Sequence, residues 1–286
     1  MAKKDDLPKI LPPKNDMVFK MLFGDQRNEG SLIAFLEAVL EKGIDKVQLL
    51  NPINKQKNAD DKLSILDVKA RLKNGDVIDI EMQARDVPEF RSRISYYSAQ
   101  MLVEQIGNGG KYSDIKPVIS IIIVAHSLIN ESNKCHNIFS MLETEELFPF
   151  NGLQGIHVLD LSRILNEKNE LLSDWLKFIN SEREADFMAV AQKNKAIAAA
   201  YDELKVLSAD KEQRMRYEAR LKMQRDIWSF EDAARQEGMQ QGMQQGMQQG
   251  MQQGMQQGMQ QRTQEIFEYL AKGHSLEEAK KKFAFD

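Results

Sequence analysis

The pattern of hydrophobic and polar residues predicts five β-strands, at residues 47–50, 65–72, 77–83, 117–124 and 156–161. The second and third segments alternate between hydrophobic and polar positions, as strands with one buried face do, and the Asn74-Gly75 pair between them is a hairpin signal. The fourth segment is nearly continuous and β-branched, which is typical of a strand covered on both faces. The pattern therefore predicts a sheet with helices on both sides.

Helical periodicity accounts for most of the remaining chain. Asn15 and Asp16 are candidate N-caps for a first helix, and a second helix is expected at residues 31–40. Pro88 opens a third helix, since proline is favoured in the first helical turn. From about residue 162 onward the pattern stays helical and amphipathic.

The register of the predicted hairpin decides which carboxylates face each other. A three-residue loop that ends with Gly75 in the left-handed conformation would bring Asp67 opposite Glu81, on the face that also carries Lys69. A two-residue loop would instead pair Asp67 with Met82 and put the two carboxylates on opposite faces. Only the first register brings the acids together.

Two facing carboxylates repel each other unless a cation lies between them, because their Cβ atoms would be roughly 5 Å apart. A divalent ion would neutralise the pair, and Mg²⁺ typically takes one or two protein carboxylates plus water and substrate phosphate. The hairpin therefore suggests a metal site formed by Asp67 and Glu81. The alternative is a charged face of the sheet that is open to solvent.

Shifts in composition divide the chain into five segments. They are a flexible arm (1–13), an α/β domain (14–165), a helical extension (166–237), a repeat (238–261) and a C-terminal helical hairpin (262–286). The repeat consists of six Gly-Met-Gln-Gln units, and its six glycines cost about 5 kcal/mol of helix propensity relative to alanine. A flexible tether is therefore expected. If the repeat were helical, its Met stripe would shift by about 40° per unit and could let helices cross closely in an oligomer.

Charge and composition restrict the classes of function. A net charge of −4 gives no global attraction to nucleic acid, so DNA binding requires a local basic patch. The single cysteine, Cys135, excludes an intramolecular disulfide and a cysteine-based zinc cluster. There is no signal peptide and no apolar run of about 18 residues, so we expect a cytoplasmic protein without a membrane partner. Phosphate-cradling, dinucleotide-binding and nucleophile-elbow motifs are also absent from the sequence.

One segment is strongly basic. Residues 211–225 contain Lys211, Arg214, Arg216, Arg220, Lys222 and Arg225. This segment is either a helix that contacts DNA phosphates or a solvated helix face. The four histidines lack the spacing of metal ligands, and we assign no catalytic role to His126, His136, His157 or His274.

Asp67 on one strand and Glu81-Met82-Gln83 on the next resemble the PD-(D/E)xK nuclease core. The variant with Gln is that of the Rpn family of recombination-promoting nucleases, the PD-(D/E)xK nuclease family transposases. Four further stretches are similar to that family: NDMVFK with LFG (15–24), the Arg/Tyr helix (90–97), GKY leading to PVI (110–119), and the repeat with the ending GHSLEEA (273–279). The resemblance covers nearly the whole chain, and its specificity comes from the order of the motifs.

This resemblance implies a three-layer, restriction-endonuclease-like α/β core with a mixed sheet at residues 14–165, followed by a C-terminal helical extension. It implies a Mg²⁺-dependent DNA endonuclease, with Mn²⁺ as a substitute ion, in which Asp67 and Glu81 hold the metal. The backbone carbonyl of Met82 is a further candidate ligand. Asp16 is either a third carboxylate ligand or a helix cap.

The position of Gln83 usually holds a lysine in the wider superfamily. Glutamine can orient water through its amide but carries no positive charge, and Lys69 on the same face is the candidate replacement. The residues expected to contact DNA are Arg91, Arg93, Lys211, Arg214 and Arg220. We expect a DNA endonuclease that forms a homo-oligomer through its helical tail. The alternative is a catalytically degenerate nuclease fold that acts as a DNA-binding or oligomeric scaffold.

Overall fold

The computed structural model describes residues 9–50, 68–107 and 109–284. Its strands are β1 (Val47–Leu49), β2 (Val68–Leu72), β3 (Val77–Gln83), β4 (Val118–Val124), β5 (His136–Ser140) and β6 (Gln154–Asp160). Its α-helices are α1 (Asp16–Phe23), α2 (Glu29–Leu40), α3 (Phe90–Val103), α4 (Glu170–Asn180), α5 (Glu184–Ala191), α6 (Lys195–Ala209), α7 (Lys211–Ala271) and α8 (Leu276–Phe283). Short 3₁₀ helices occur at Gln26–Asn28, Tyr112–Asp114 and Leu161–Asn166.

The strands form one mixed sheet in the order β1-β2-β3-β4-β6-β5. The β3–β4 and β4–β6 pairs are parallel, and the β1–β2, β2–β3 and β5–β6 pairs are antiparallel. β4 is buried along nearly its whole length, as its continuous β-branched sequence predicts. The predicted α/β fold with a mixed sheet is confirmed.

The β2–β3 hairpin has the predicted three-residue loop. The Gly75 N–H donates to the carbonyl of Leu72 at 2.9 Å, and the Leu72 N–H donates to the carbonyl of Asp76 at 2.9 Å. Gly75 has a φ of +97°, in the left-handed region that favours glycine. Along the ladder Lys69 pairs with Asp79, which is the register of the three-residue loop and not that of the two-residue loop.

Helices cover both faces of the sheet. On one face, α3 packs on β3, β4 and β6 through Phe90, Ile94 and Met101, which contact Val77, Val118, Ile122, Val124 and Val158. On the other side, α1 contacts β3 and α2 contacts β1. The three-layer arrangement follows because the central strands carry hydrophobic residues on both faces.

α4, α5, α6 and the start of α7 belong to the same compact unit as the sheet, which extends to Arg220, and residues 221–286 form a second unit. α4 and α6 pack against α2, and the ring centroid of Trp175 lies 5.9 Å from those of Phe23 and Phe35. The contacts thus divide the chain after Arg220, and the helical extension at residues 166–237 stays a prediction.

Residues 9–13 are packed and do not form the flexible arm expected for residues 1–13. Ile10 and Leu11 are buried, and the Leu11 N–H donates to Ser208 Oγ at 2.9 Å. The two buried hydrophobic side chains explain the difference, since burying them favours an ordered segment. Residues 1–8 lie outside the described part of the chain.

α7 runs without a break through the Gly-Met-Gln-Gln repeat, so the expectation of a flexible tether was wrong. Met and Gln are good helix formers, and helix-favouring residues flank the repeat, which offsets part of the cost of the glycines. The six methionines of the repeat are 67–76% exposed. After α7 ends at Ala271, Ser275 caps α8 in a capping box with Glu278. None of the described helices is both long and apolar enough to cross a membrane.

Candidate metal centre

Glu81 lies in β3 on the face that α3 covers. Its side chain is only 9% exposed, because β2 and β4 flank the strand and α3 lies over it. The sequence assigned this face to chemistry or to solvent, and the structure shows that it is enclosed. A carboxylate in such a position loses most of its hydration and requires a compensating positive charge.

The electrostatics of Glu81 are set by two opposing effects. Burial raises its pKa above the ordinary value for glutamate, and the Arg93 guanidinium lowers it. Arg93 extends from the first turn of α3, with its Nη2 atom 4.0 Å from Glu81 Oε1. This separation exceeds hydrogen-bond distance, so Arg93 attracts the carboxylate without holding it. A buried carboxylate with a distant cation fits the requirements of a metal ligand.

Asp79 is a second buried acid that the sequence analysis left out of the site. It is 2% exposed and lies two residues before Glu81 on the same face, so that their Cα atoms are about 7 Å apart. In the ladders Asp79 pairs with Lys69 of β2 and Ser120 of β4. The signal in the sequence was the Asp-x-Glu spacing within one strand, which places both acids on one face.

Asp67, the other predicted metal ligand, lies outside the described residues. It directly precedes Val68, the first residue of β2. Within residues 9–50, 68–107 and 109–284 there is no group of three or more His, Cys, Asp or Glu side chains that could hold a metal ion. The described part of the chain therefore contains Glu81 as a candidate ligand but no complete ligand set.

Gln83 and Lys69 lie on the same sheet face as Glu81 but have partners elsewhere. The Gln83 Nε2 group donates to the carbonyl of Arg85 at 2.8 Å, which leaves its side-chain oxygen as an acceptor. The Lys69 Nζ group donates to Glu104 Oε2 at 2.8 Å, and this ion pair lowers the pKa of Glu104. Lys69 is thus directed toward the C-terminal end of α3.

Asp16 lies at the start of α1, and Asn15 is the N-cap. Asn15 Oδ1 accepts hydrogen bonds from the N–H groups of Met17 and Val18. The Asp16 carboxylate accepts from the Met17 N–H at 2.8 Å and forms an ion pair with the Arg220 guanidinium of α7. Its charge is therefore neutralised by an arginine more than 200 residues later in the chain.

Two other arginines expected to contact DNA bind the protein itself. Arg91 donates to both carboxylate oxygens of Glu131, at 3.0 and 2.8 Å, and to the carbonyl of Leu128. Arg214 donates to the carbonyls of Ser208 and Lys9, at 2.5 and 2.6 Å. Lys211, by contrast, is exposed. Among the predicted DNA contacts, Arg93 is therefore the one that the structure places beside Glu81.

The structure brings together two histidines that sequence spacing did not connect. His136 Nε2 and His157 Nδ1 are 2.9 Å apart, across the β5–β6 ladder. Burial lowers the pKa of both imidazoles, that of His157 to about 4. Their proximity depends on β5, a strand that the sequence pattern did not predict.

A family model described as PD-(D/E)XK nuclease family transposase matches residues 13–234 of the chain. The matched range includes the whole sheet, α1 to α6 and the first part of α7. A search of curated proteins and a search of solved structures found no match for the chain.

Proposed function

Because this chain belongs to the PD-(D/E)XK nuclease family transposases, we propose that it hydrolyses phosphodiester bonds in DNA as a metal-dependent endonuclease. Membership in the family supports a nuclease-related or transposase-related function. The observation that carries it is the buried Glu81 carboxylate on the enclosed face of β3.

We propose Asp67 and Glu81 as the metal ligands. If the β2–β3 register continued by one residue beyond Val68 and Ile80, Asp67 would stand opposite Glu81, and both side chains would be on one face. The Met82 carbonyl is a further candidate oxygen ligand. Such an oxygen donor set suits Mg²⁺, with Mn²⁺ as a substitute. A bound ion would neutralise the phosphate and lower the pKa of the attacking water.

Gln83 and the nearby cations have supporting roles in this proposal. The Gln83 oxygen is available to accept a hydrogen bond from water, which would orient the attacking molecule. Arg93 lies close enough to Glu81 to contact a phosphate bound there. Lys69 can supply a second positive charge only after it leaves Glu104. Exposed Lys211 is a candidate for phosphate contacts farther along the DNA.

We also propose that the tail supports self-association, since the repeat helix exposes its six methionines. An isolated helix of this composition is marginal in water, because helix stability in proteins comes mainly from packing. Contact with another copy would remove those side chains from solvent.

A catalytically degenerate scaffold is the second candidate. It is favoured by the ion pair between Lys69 and Glu104. Lys69 is the candidate substitute for the lysine that position 83 lacks, and in this ion pair its charge is directed away from Glu81. In that case the protein would bind DNA but would not cut it.

Nicking of supercoiled plasmid by the purified protein tests the two candidates. The assay is run with Mg²⁺, with Mn²⁺ and with chelator, beside Asp67→Ala and Glu81→Ala, and circular dichroism checks the fold of each variant. Glu231→Ala, which removes an exposed acid of α7, is the control. We expect metal-dependent nicking that both site variants abolish and the control retains. DNA binding without nicking by the native protein would instead support the scaffold.

A further inference from the structure

The outer edge of β5 is surrounded by exposed hydrophobic side chains. Seven large hydrophobic residues between residues 138 and 150 are 40–73% exposed: Ile138, Phe139, Met141, Leu142, Leu147, Phe148 and Phe150. β5 is the last strand of the sheet, and among the described strands it pairs with β6 alone. Residues 141–150 then form a hairpin in which the Glu143 N–H donates to the Phe148 carbonyl at 2.9 Å. We call these seven residues the β5 edge patch.

We infer that the β5 edge patch is a self-association surface, on which β5 of a second copy pairs antiparallel with β5 of the first. With about 200 Å² for each large side chain, the exposed fractions correspond to roughly 750 Å² per copy. Specific interfaces bury about 800 Å² per partner, whereas isolated hydrophobic patches on monomers are usually smaller. The patch as a whole has the size of one half of a stable interface. Its four residues from Ile138 to Leu142 line the pairing edge, and the other three lie on the returning arm of the hairpin.

The strand itself lacks the features that normally prevent pairing. Exposed edges are usually protected by lysine, proline or a bulge. The sequence from Cys135 to Leu142 contains neither lysine nor proline. Ile138 and Phe139 are consecutive and therefore point to opposite faces, and both are exposed. Hydrophobic side chains on both faces are expected of a strand that another strand continues.

The charges flanking β5 favour a second copy over an unrelated partner. Lys134 precedes the strand, and the acidic turn with Glu143, Glu145 and Glu146 follows it. In an antiparallel pair centred on Ile138, Lys134 of each copy would lie opposite Leu142 of the other, close to the acidic turn that begins at Glu143 of that copy. The symmetry would bring these opposite charges near each other twice. A strand with one basic end and one acidic end is thus complementary to itself.

Cysteine cross-linking of the full chain tests the pairing, because Ile138 would lie opposite Ile138 of the second copy. The native protein gives a quiet background, since burial raises the pKa of the Cys135 thiol to about 12. Under mild oxidation we expect Ile138→Cys to form a disulfide-linked dimer at least about tenfold faster than Val206→Cys, since pairing raises the effective thiol concentration. Val206 lies on α6 and has a matching exposure, 64% against 62% for Ile138. Equal cross-linking rates for the two variants would overturn the inference. This holds even if the tail also associates, because both variants carry the same tail.

A charge exchange tests the register. Adding Lys134→Glu to Ile138→Cys should slow cross-linking about tenfold, and adding Glu143→Lys to that pair should restore the rate. Lys134 is exposed and Glu143 is partly buried, and both lie outside the candidate metal centre. Because the Glu143 carboxylate accepts hydrogen bonds from the N–H groups of Glu145 and Glu146, circular dichroism checks that each variant keeps its fold. If neither charge change alters the cross-linking rate, a pair centred on Ile138 is excluded.

Discussion

At the scale of single residues, Glu81 combines enclosure with a weak electrostatic contact. Burial disfavours its charged form, and Arg93 at 4.0 Å partly restores it. A cation in direct contact with this carboxylate would stabilise its charged form more than Arg93 does at 4.0 Å. The same balance makes Glu81 sensitive to any change in Arg93.

Replacement of Arg93 by glutamine should move the pH dependence of nicking. Without the guanidinium, the pKa of Glu81 rises further, so the carboxylate ionises at higher pH. We therefore expect the acidic limb of the nicking profile to shift to higher pH in Arg93→Gln. Arg91→Gln, on the same helix but paired with Glu131, should leave the limb in place. If the acidic limb of the nicking profile is unchanged in Arg93→Gln, Arg93 does not influence the ionisation of Glu81.

The histidine pair predicts a second pH effect, on stability. The pKa of His157 is about 4 in the folded protein and near the ordinary 6.5 after unfolding, so the unfolded chain binds more protons between these values. The free energy of unfolding should therefore be highest above about pH 6.5 and fall toward about pH 4, by on the order of 2 kcal/mol.

Urea unfolding at about pH 7.5 and about pH 5 measures this effect. In His157→Gln the difference between the two free energies should shrink, because the titrating group is gone. His274→Gln, which changes a half-exposed histidine near the C-terminus, should keep the full difference. If the free energy of unfolding of His157→Gln keeps the full pH dependence, His157 is not the group responsible for it.

Contacts between residues far apart in the sequence could not be predicted from local patterns. Local chemistry predicted a cap at Asn15 or Asp16, and the structure has Asn15 as the cap. The assignment of Glu81 to a metal site stays a prediction. The His136–His157 contact depends on the pairing of two strands. The ion pair of Asp16 with Arg220 joins residues 204 positions apart, and no periodicity reports such a pair.

At the scale of elements, the β2–β3 loop fixes the register that the metal site requires. Gly75→Ala should lower the free energy of unfolding by about 1–2 kcal/mol. Its φ of +97° is unfavourable for alanine, and the added Cβ would come within 2.9 Å of Lys116 Cγ. Gly43→Ala is the control, since a Cβ there has no atom within 4 Å. Denaturant midpoints of the two variants measure the difference, and equal midpoints would show that the loop tolerates alanine.

The repeat helix gives a prediction of the opposite sign. Gly250→Ala should strengthen α7 by about 1 kcal/mol, because alanine is the better helix former and the position is open. Hydrogen exchange of the neighbouring amides should slow about fivefold. Unchanged exchange would show that the glycines of the repeat do not limit the stability of α7.

Short-range patterns predicted most elements correctly but missed β5. The hairpin was predictable because Asn74-Gly75 determines a turn, and β4 because its hydrophobic run is long. The β5 sequence, His136 to Ser140, has no clear alternation, and it becomes a strand by pairing with β6. The prediction for the repeat was wrong because it counted the helix-propensity cost of the glycines but not the helical segments that flank the repeat on both sides.

At the scale of the whole molecule, the Asp16–Arg220 ion pair links the first helix to the start of the last long helix. Both side chains are about 20% exposed, so the pair is shielded from solvent more than most surface ion pairs. Asp16→Asn and Arg220→Gln should each lower the free energy of unfolding by about 1–2 kcal/mol, and a double-mutant cycle should show coupling.

The same variants decide the role of Asp16. If Asp16 anchors α7, nicking should survive in both folded single variants. Loss of nicking in Asp16→Asn alone would instead identify Asp16 as a third metal ligand.

The uniform repeat in α7 also has a genetic consequence. Tandem identical units gain or lose copies readily during replication, and here each unit is four residues. One added unit lengthens the helix by about 6 Å and turns everything after it by about 40°. A change in copy number would therefore move the C-terminal helical hairpin along and around the axis of α7 in fixed steps, without altering any residue before the repeat.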